Sequence, residues 1–236
     1  MSETIDTRVS PSLHPANVRQ LDGFDDETAV YLAPVETALS EAYEGLGQVH
    51  TARDAARKNP AWNEAAQVLQ TQDYADKVFA RVARHFDSAS AGLSKSIAAL
   101  EEQLSAPITS KASHAVSAEI RTHVRSLKTN ERMAFIQRAA NEGDETTCAA
   151  VFGAPAYLSG VEPNTVEVLT RTYHERKSPA VAKRVRAMKA AHDLLSDRGG
   201  LLHKELEKAV GMNPVRVRAL RQARTEAEQA LILRDA

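Results

Sequence analysis

The chain has 236 residues, with 30 Lys/Arg against 31 Asp/Glu, a hydrophobic fraction of 43%, only 5% aromatics and one cysteine. That length suits one or two domains with a real core, and a single cysteine excludes both an internal disulfide framework and a cysteine-built zinc site. With no basic start leading into an apolar run, and no apolar stretch near the roughly 18 residues a bilayer requires, the expectation is a soluble, cytoplasmic protein without membrane contact.

Balanced net charge hides an asymmetry. Residues 1–60 carry 5 Lys/Arg against 10 Asp/Glu, whereas residues 163–236 carry 15 against 9. An acidic head and a basic tail suit head-to-tail contact between subunits, or contact between the tail and a nucleic acid. Many Ala, Leu, Glu, Arg and Lys with few aromatics favour close-packed helices over sheet, and no period-two run or Asn-Gly hairpin turn is present. The fold class expected is all-α: an elongated helical bundle with one long central helix over about 60–105 and shorter helices C-terminal to it.

Residues 1–24, with Pro11 and Pro15 and scattered apolars, read as a flexible N-terminal arm. A first helix is expected over about 25–58. Its Gly45-Leu46-Gly47 triplet costs roughly 1 kcal/mol per Gly relative to Ala, so it marks a kink or a close helix crossing. Asn59-Pro60 suits a helix start, since Asn caps free N–H groups and Pro fits the first helical position. Phe79, Val82, Phe86, Leu93, Ile97, Leu100 and Leu104 then follow at helical spacing, with Ala89 between, as a nearly heptad stripe resembling a coiled-coil seam. At about 1.5 Å per residue the helix would span on the order of 65 Å, so the stripe must pack on other long helices, from this chain or another copy. Ser88–Gly92 is its weakest place, and Pro107 ends it. Residues 25–127 are thus expected to form a long-helix bundle.

Residues 128–236 are expected to form a C-terminal helical region with a basic surface. A helix over about 110–127 places Val116, Ile120, Val124 and Leu127 on one face. Asn130 and Asp144 suit the caps of two short helices that end at Gly143 and Gly153. Within the loop 153–160, Tyr157 and Leu158 are expected to anchor to the core. Pro163 opens a helical region that Ser178-Pro179 either restarts or kinks, and Gly199-Gly200 is expected to break it. Gly211 ends a short helix, and Asn213-Pro214 starts the last one.

The best motif lies around Gly211. Leu206, Val210, Met212, Val217 and Leu220 fall at the buried positions of a helix-turn-helix, and Arg216, Arg218, Arg221 and Arg224 follow on the second helix as candidate phosphate contacts. The segment resembles helix-turn-helix proteins over about 20 residues, departing from them at Glu207 and at Pro214. Lys183, Arg186 and Lys189 share part of one helical face and are candidate contacts to a phosphate backbone. Eight histidines include no i, i+4 pair with a carboxylate between them, so no metal site is expected. Cys148 lies on an apolar face as a structural thiol. Neither a nucleophile elbow nor a Lys-Ser/Thr phosphate loop is present, so no catalytic residue or cofactor is expected.

Residues 131–160, with Asn141-Glu142-Gly143-Asp144-Glu145, Gly153-Ala154-Pro155 and Tyr157-Leu158-Ser159-Gly160, resemble uncharacterised helical proteins encoded by phages and prophages. The resemblance implies a virion or assembly component. The reading is a non-enzymatic helical interaction protein that forms a homo-oligomer or docks on a larger assembly. The alternative is a nucleic-acid-binding accessory protein using residues 201–224.

Overall fold

The computed structural model describes residues 5–109 and 112–232. These residues are helical with no strand: α1 Ala29–Arg57, α2 Glu64–Ser105, α3 His114–Ser126, α4 Thr129–Glu142, α5 Glu145–Phe152, α6 Ala156–Ser159, α7 Pro163–Lys177, α8 Pro179–Val210 and α9 Pro214–Ala230. The all-α class is therefore observed. The chain divides into two units, Met1–Lys95 with Arg186–Ala236, and Ser96–Val185. This differs from the expected division at 127 and 128. The boundaries fall inside the helical stretches α2 and α8, where apolar periodicity runs on without any shift in composition.

In the first unit, α1 buries Leu32, Val35, Leu39, Ala42, Leu46 and Val49 on one face, the three- and four-residue steps of a single helix stripe. Gly45 and Gly47 mark the close crossing that the triplet suggests. A Cβ on Gly45 would lie 2.7 Å from Val78 Cγ1 of α2, and one on Gly47 would lie 2.9 Å from Asp6 Oδ2. Asn59-Pro60 does not start α2. Asn59 accepts from the N–H of Ala61 in a turn, and Asn63, accepting from Ala66 N–H at 2.9 Å, caps the helix instead.

The expected arm is packed along its described part, residues 5–24; residues 1–4 lie outside the described residues. Two 3-10 turns, Pro11–Leu13 and Pro15–Gln20, lay Leu13 and Val18 into the core with Val9. Pro fixes the first position of each turn, with the Ser10 and His14 side chains capping them. Arg8 then binds Asp6 and Asp54, the Tyr43 hydroxyl donates to the Asp6 carbonyl, and Ser10 N–H donates to Glu205. Gly199-Gly200 does not break α8. Leu195 and Leu202 on either side are buried, and that anchoring offsets the cost of two glycines.

The second unit is built from short capped helices around Val124, Ile136, Cys148, Val151, Phe152 and Tyr173. Ser113 caps α3; residues 110 and 111, where that helix was expected to begin, lie outside the described residues. The start of α4 is held by Glu131 accepting from Lys128 N–H, rather than by Asn130. Asp144 caps α5 as expected, accepting from both the N–H and the hydroxyl of Thr147. Gly153 is required by space, not by φ: a Cβ there would sit 2.0 Å from the Ile108 carbonyl oxygen. Tyr157 is 71% exposed and Leu158 is also exposed, so neither anchors the loop; the buried Ser159 and Val161 do. Pro179 ends α7 and starts α8, with Ser178 between them.

Candidate functional site

The stripe on α2 is covered within the chain in part. Val82, Phe86 and Leu93 are buried in the first unit and Leu104 in the second, while Phe79, Ile97 and Leu100 are half-buried. In the first unit Val78 and Val82 meet Gly45, Ser90 lies 3.2 Å from His192 Nε2, and the Phe79 ring lies against His203. Hiding this part of the stripe needs no second copy.

Around Gly211 the turn and the start of the last helix fall where the sequence suggests, but the helix before the turn is the long α8 rather than a short one over 201–210. Val210 ends α8, Gly211 takes φ +81°, and Asn213 accepts from Arg216 N–H to start α9 at Pro214. Val210 and Val217 are buried, and Leu206, Met212 and Leu220 are half-buried. A groove of about 470 Å³ runs past Phe79, Leu206, Met212 and Val217. Its rim is closed by Arg221, which donates to Asp73 at 2.7 Å and Asp76 at 2.6 Å. These hydrogen bonds, to Asp76 first, hold the guanidinium firmly charged. Arg224 is likewise engaged, with Glu228 at 2.7 Å. Arg216 and Arg218 are exposed. Of the second basic group, Lys183 belongs to the second unit and is half-buried, and Arg186 and Lys189 are exposed in the first. The candidate phosphate contacts are thus divided, and two of them are already committed to carboxylates.

Beyond Val217 and the half-buried Leu220, every described residue of α9 from Arg221 onward is exposed. At its first turns Val215 is 77% exposed, on the face opposite Val217, and Arg216 and Arg218 flank it. The beginning of α1 has a matching pattern of opposite charge. Val30 is 75% exposed, on the side away from Leu32 and Val35, and the exposed Asp26 and Glu27 precede it by one turn. Ala33, Pro34 and Thr37 continue the exposed α1 face.

In the second unit a cavity of about 410 Å³ lies over Leu104, Ile108 and Ala149, bordered by Tyr173, His174 and Lys177. Lys177 Nζ donates to Glu145 at 2.9 Å and sits 5.6 Å from the Tyr173 ring centroid. His174 Nε2 lies 2.8 Å from the Ala106 carbonyl oxygen. The Lys177 ammonium is stabilised by its bonds to Glu145 and then Tyr173. Sequence reasoning missed this group; the four-residue Tyr173–Lys177 spacing was its only signal. Cys148 is buried beside it, and burial first, then the Asp144 charge, pushes its thiol up to about 11. Such a thiol is a poor nucleophile.

His50 is the other unanticipated group. It is 4% exposed, and neither ring nitrogen has a hydrogen-bond partner in the structure. Burial, then the charges of Arg53 and Arg8, lower its pKa, with Lys208 adding to this and Asp6 opposing it. Asp6 itself is lowered to about 2, chiefly by its hydrogen bond from Arg8.

Among the described residues no three His, Cys, Asp or Glu are grouped to hold a metal ion, and no helix is long and apolar enough to cross a membrane. No protein-family model, curated protein or solved structure matches the chain.

Proposed function

We propose that the chain is a non-enzymatic helical interaction protein that self-associates or docks within a larger assembly. The observation that carries this reading is α9, which remains helical through Ala230 although its last buried residue is Val217. Isolated helices shorter than roughly 12–15 residues are marginal in water, and packing of a face normally stabilises them. Here the exposed turns are supported by side-chain pairs four residues apart, Gln222 with Glu226 and Arg224 with Glu228, each worth only about 0.3–0.5 kcal/mol. Such a helix is suited to display and gains most of its packing from a partner. The resemblance of residues 131–160 to phage- and prophage-encoded helical proteins makes a virion or its assembly the proposed setting.

The nucleic-acid reading is weaker because Arg221 and Arg224 already serve carboxylates within the chain. Light scattering of the full chain across a concentration range tests the choice. Masses that are multiples of 25.7 kDa support self-association. A strictly monomeric chain with DNA affinity that falls steeply with salt would replace this reading with the other.

A further inference from the structure

We infer that the acidic, apolar start of α1 is the docking surface for the basic, apolar start of α9 on a second copy of this chain. The inference rests on the self-association reading above and gives it a surface. Val30 and Val215 are the two most exposed valines among the described residues, at 75% and 77%. A β-branched residue on a solvent-facing helix turn gains nothing from helix propensity, so each is better suited to a contact than to water. Their surroundings are opposite in charge: Asp26 and Glu27 stand one turn before Val30, while Arg216 and Arg218 flank Val215. Small apolar residues extend both patches, Ala33 and Pro34 on α1 and Ala219 on α9. Pro34 also offers no N–H to the Val30 carbonyl four residues earlier.

The two patches lie on different elements, so the contact joins unlike surfaces. Each copy then keeps one patch of each kind for a further neighbour, and the arrangement grows into a ring or an open chain. The patches are small, which places the contact at the weak, concentration-dependent end of protein interfaces. Much of its specificity comes from charge, so salt weakens it.

A charge-swap complementation tests this on the full chain by sedimentation velocity. One variant reverses the α1 patch, Asp26→Arg with Glu27→Arg; the other reverses the α9 patch, Arg216→Glu with Arg218→Glu. Unchanged helical circular dichroism and melting temperature verify that both fold. Each variant alone then carries two patches of like sign, and its self-association is expected to weaken by about tenfold or more. An equimolar mixture pairs opposite signs at both kinds of contact, so association returns toward that of the unaltered chain. If the unaltered chain associates but neither reversal changes it, or the mixture stays as weak as its components, this contact is overturned and self-association stands. If the unaltered chain stays monomeric throughout, both readings fall.

Discussion

The two ends of the first unit contrast. The N-terminal segment is short of regular structure and rich in proline, yet it places Val9, Leu13 and Val18 in the core and ties itself down through Arg8, Asp6 and Ser10. Helix α9 is regular and well capped, yet it buries Val217 and leaves Arg221 to Ala230 exposed. Regularity and burial are therefore independent here. Three well-placed apolar side chains hold an irregular segment, while a helix with good propensity and mostly alanine on its apolar positions stays outside. The contrast is one of burial at one end and exposure at the other.

The sharpest way to break the contrast is to remove the N-terminal anchor. Leu13→Ala takes a fully buried side chain from the core and is expected to cost about 3 kcal/mol in urea unfolding. Gly45→Ala is expected to cost about 1–3 kcal/mol by overpacking, because its Cβ would meet Val78 at 2.7 Å; the same unfolding midpoint measures it.

Acidity tests the N-terminal end through His50. Its folded pKa lies below the ordinary 6.5, so the unfolded chain binds the extra proton first. Stability is complete above the unfolded value and is lost as pH falls from 6.5 toward the folded value. The incoming charge would be buried near Arg8, Arg53 and Lys208, with Asp6 opposing them. His50→Leu is expected to flatten a plot of unfolding midpoint against pH in that window. Asp6 acts lower, its contribution being lost as pH falls from 3.8 toward about 2.

At the other end the effects shrink. Arg221→Ala removes both ties to α2, and because the pairs are about half exposed the loss is expected to stay below about 1 kcal/mol. Its clearer signature is faster amide exchange in residues 221–230. Leu231→Ala, at a side chain 83% exposed, is expected to change stability by less than about 0.5 kcal/mol. A large loss there would mean that α9 is packed after all.

The sequence made the helices legible where caps and apolar spacing agree. Asp144, Gly211 and Asn213-Pro214 mark real boundaries, and the glycine triplet marks a real crossing. It misled where a local signal met tertiary packing. Gly199-Gly200 reads as a break but is spanned by buried Leu195 and Leu202, and Asn59-Pro60 reads as a cap but Asn63 takes that role. The arginines on α9 were visible, but that Arg221 binds Asp73 and Asp76 was not, because those partners lie almost 150 residues away in sequence. His50 was hidden because only packing shows that its ring is buried, and Lys177 because its partner Glu145 lies 32 residues away. The exposed valines were in plain view on the sequence, but only burial separates them from core valines.

Hydrogen exchange on the full chain at low and at high concentration tests the central claim that α9 is displayed for a partner. Amides of α9, from its first turns around Val215 to Arg218 through Ala230, are expected to exchange rapidly when dilute and to become protected when concentrated, while those of Leu32 to Val49 are slow in both. Equal exchange of α9 under the two conditions, with the mass of a monomer throughout, would contradict the account.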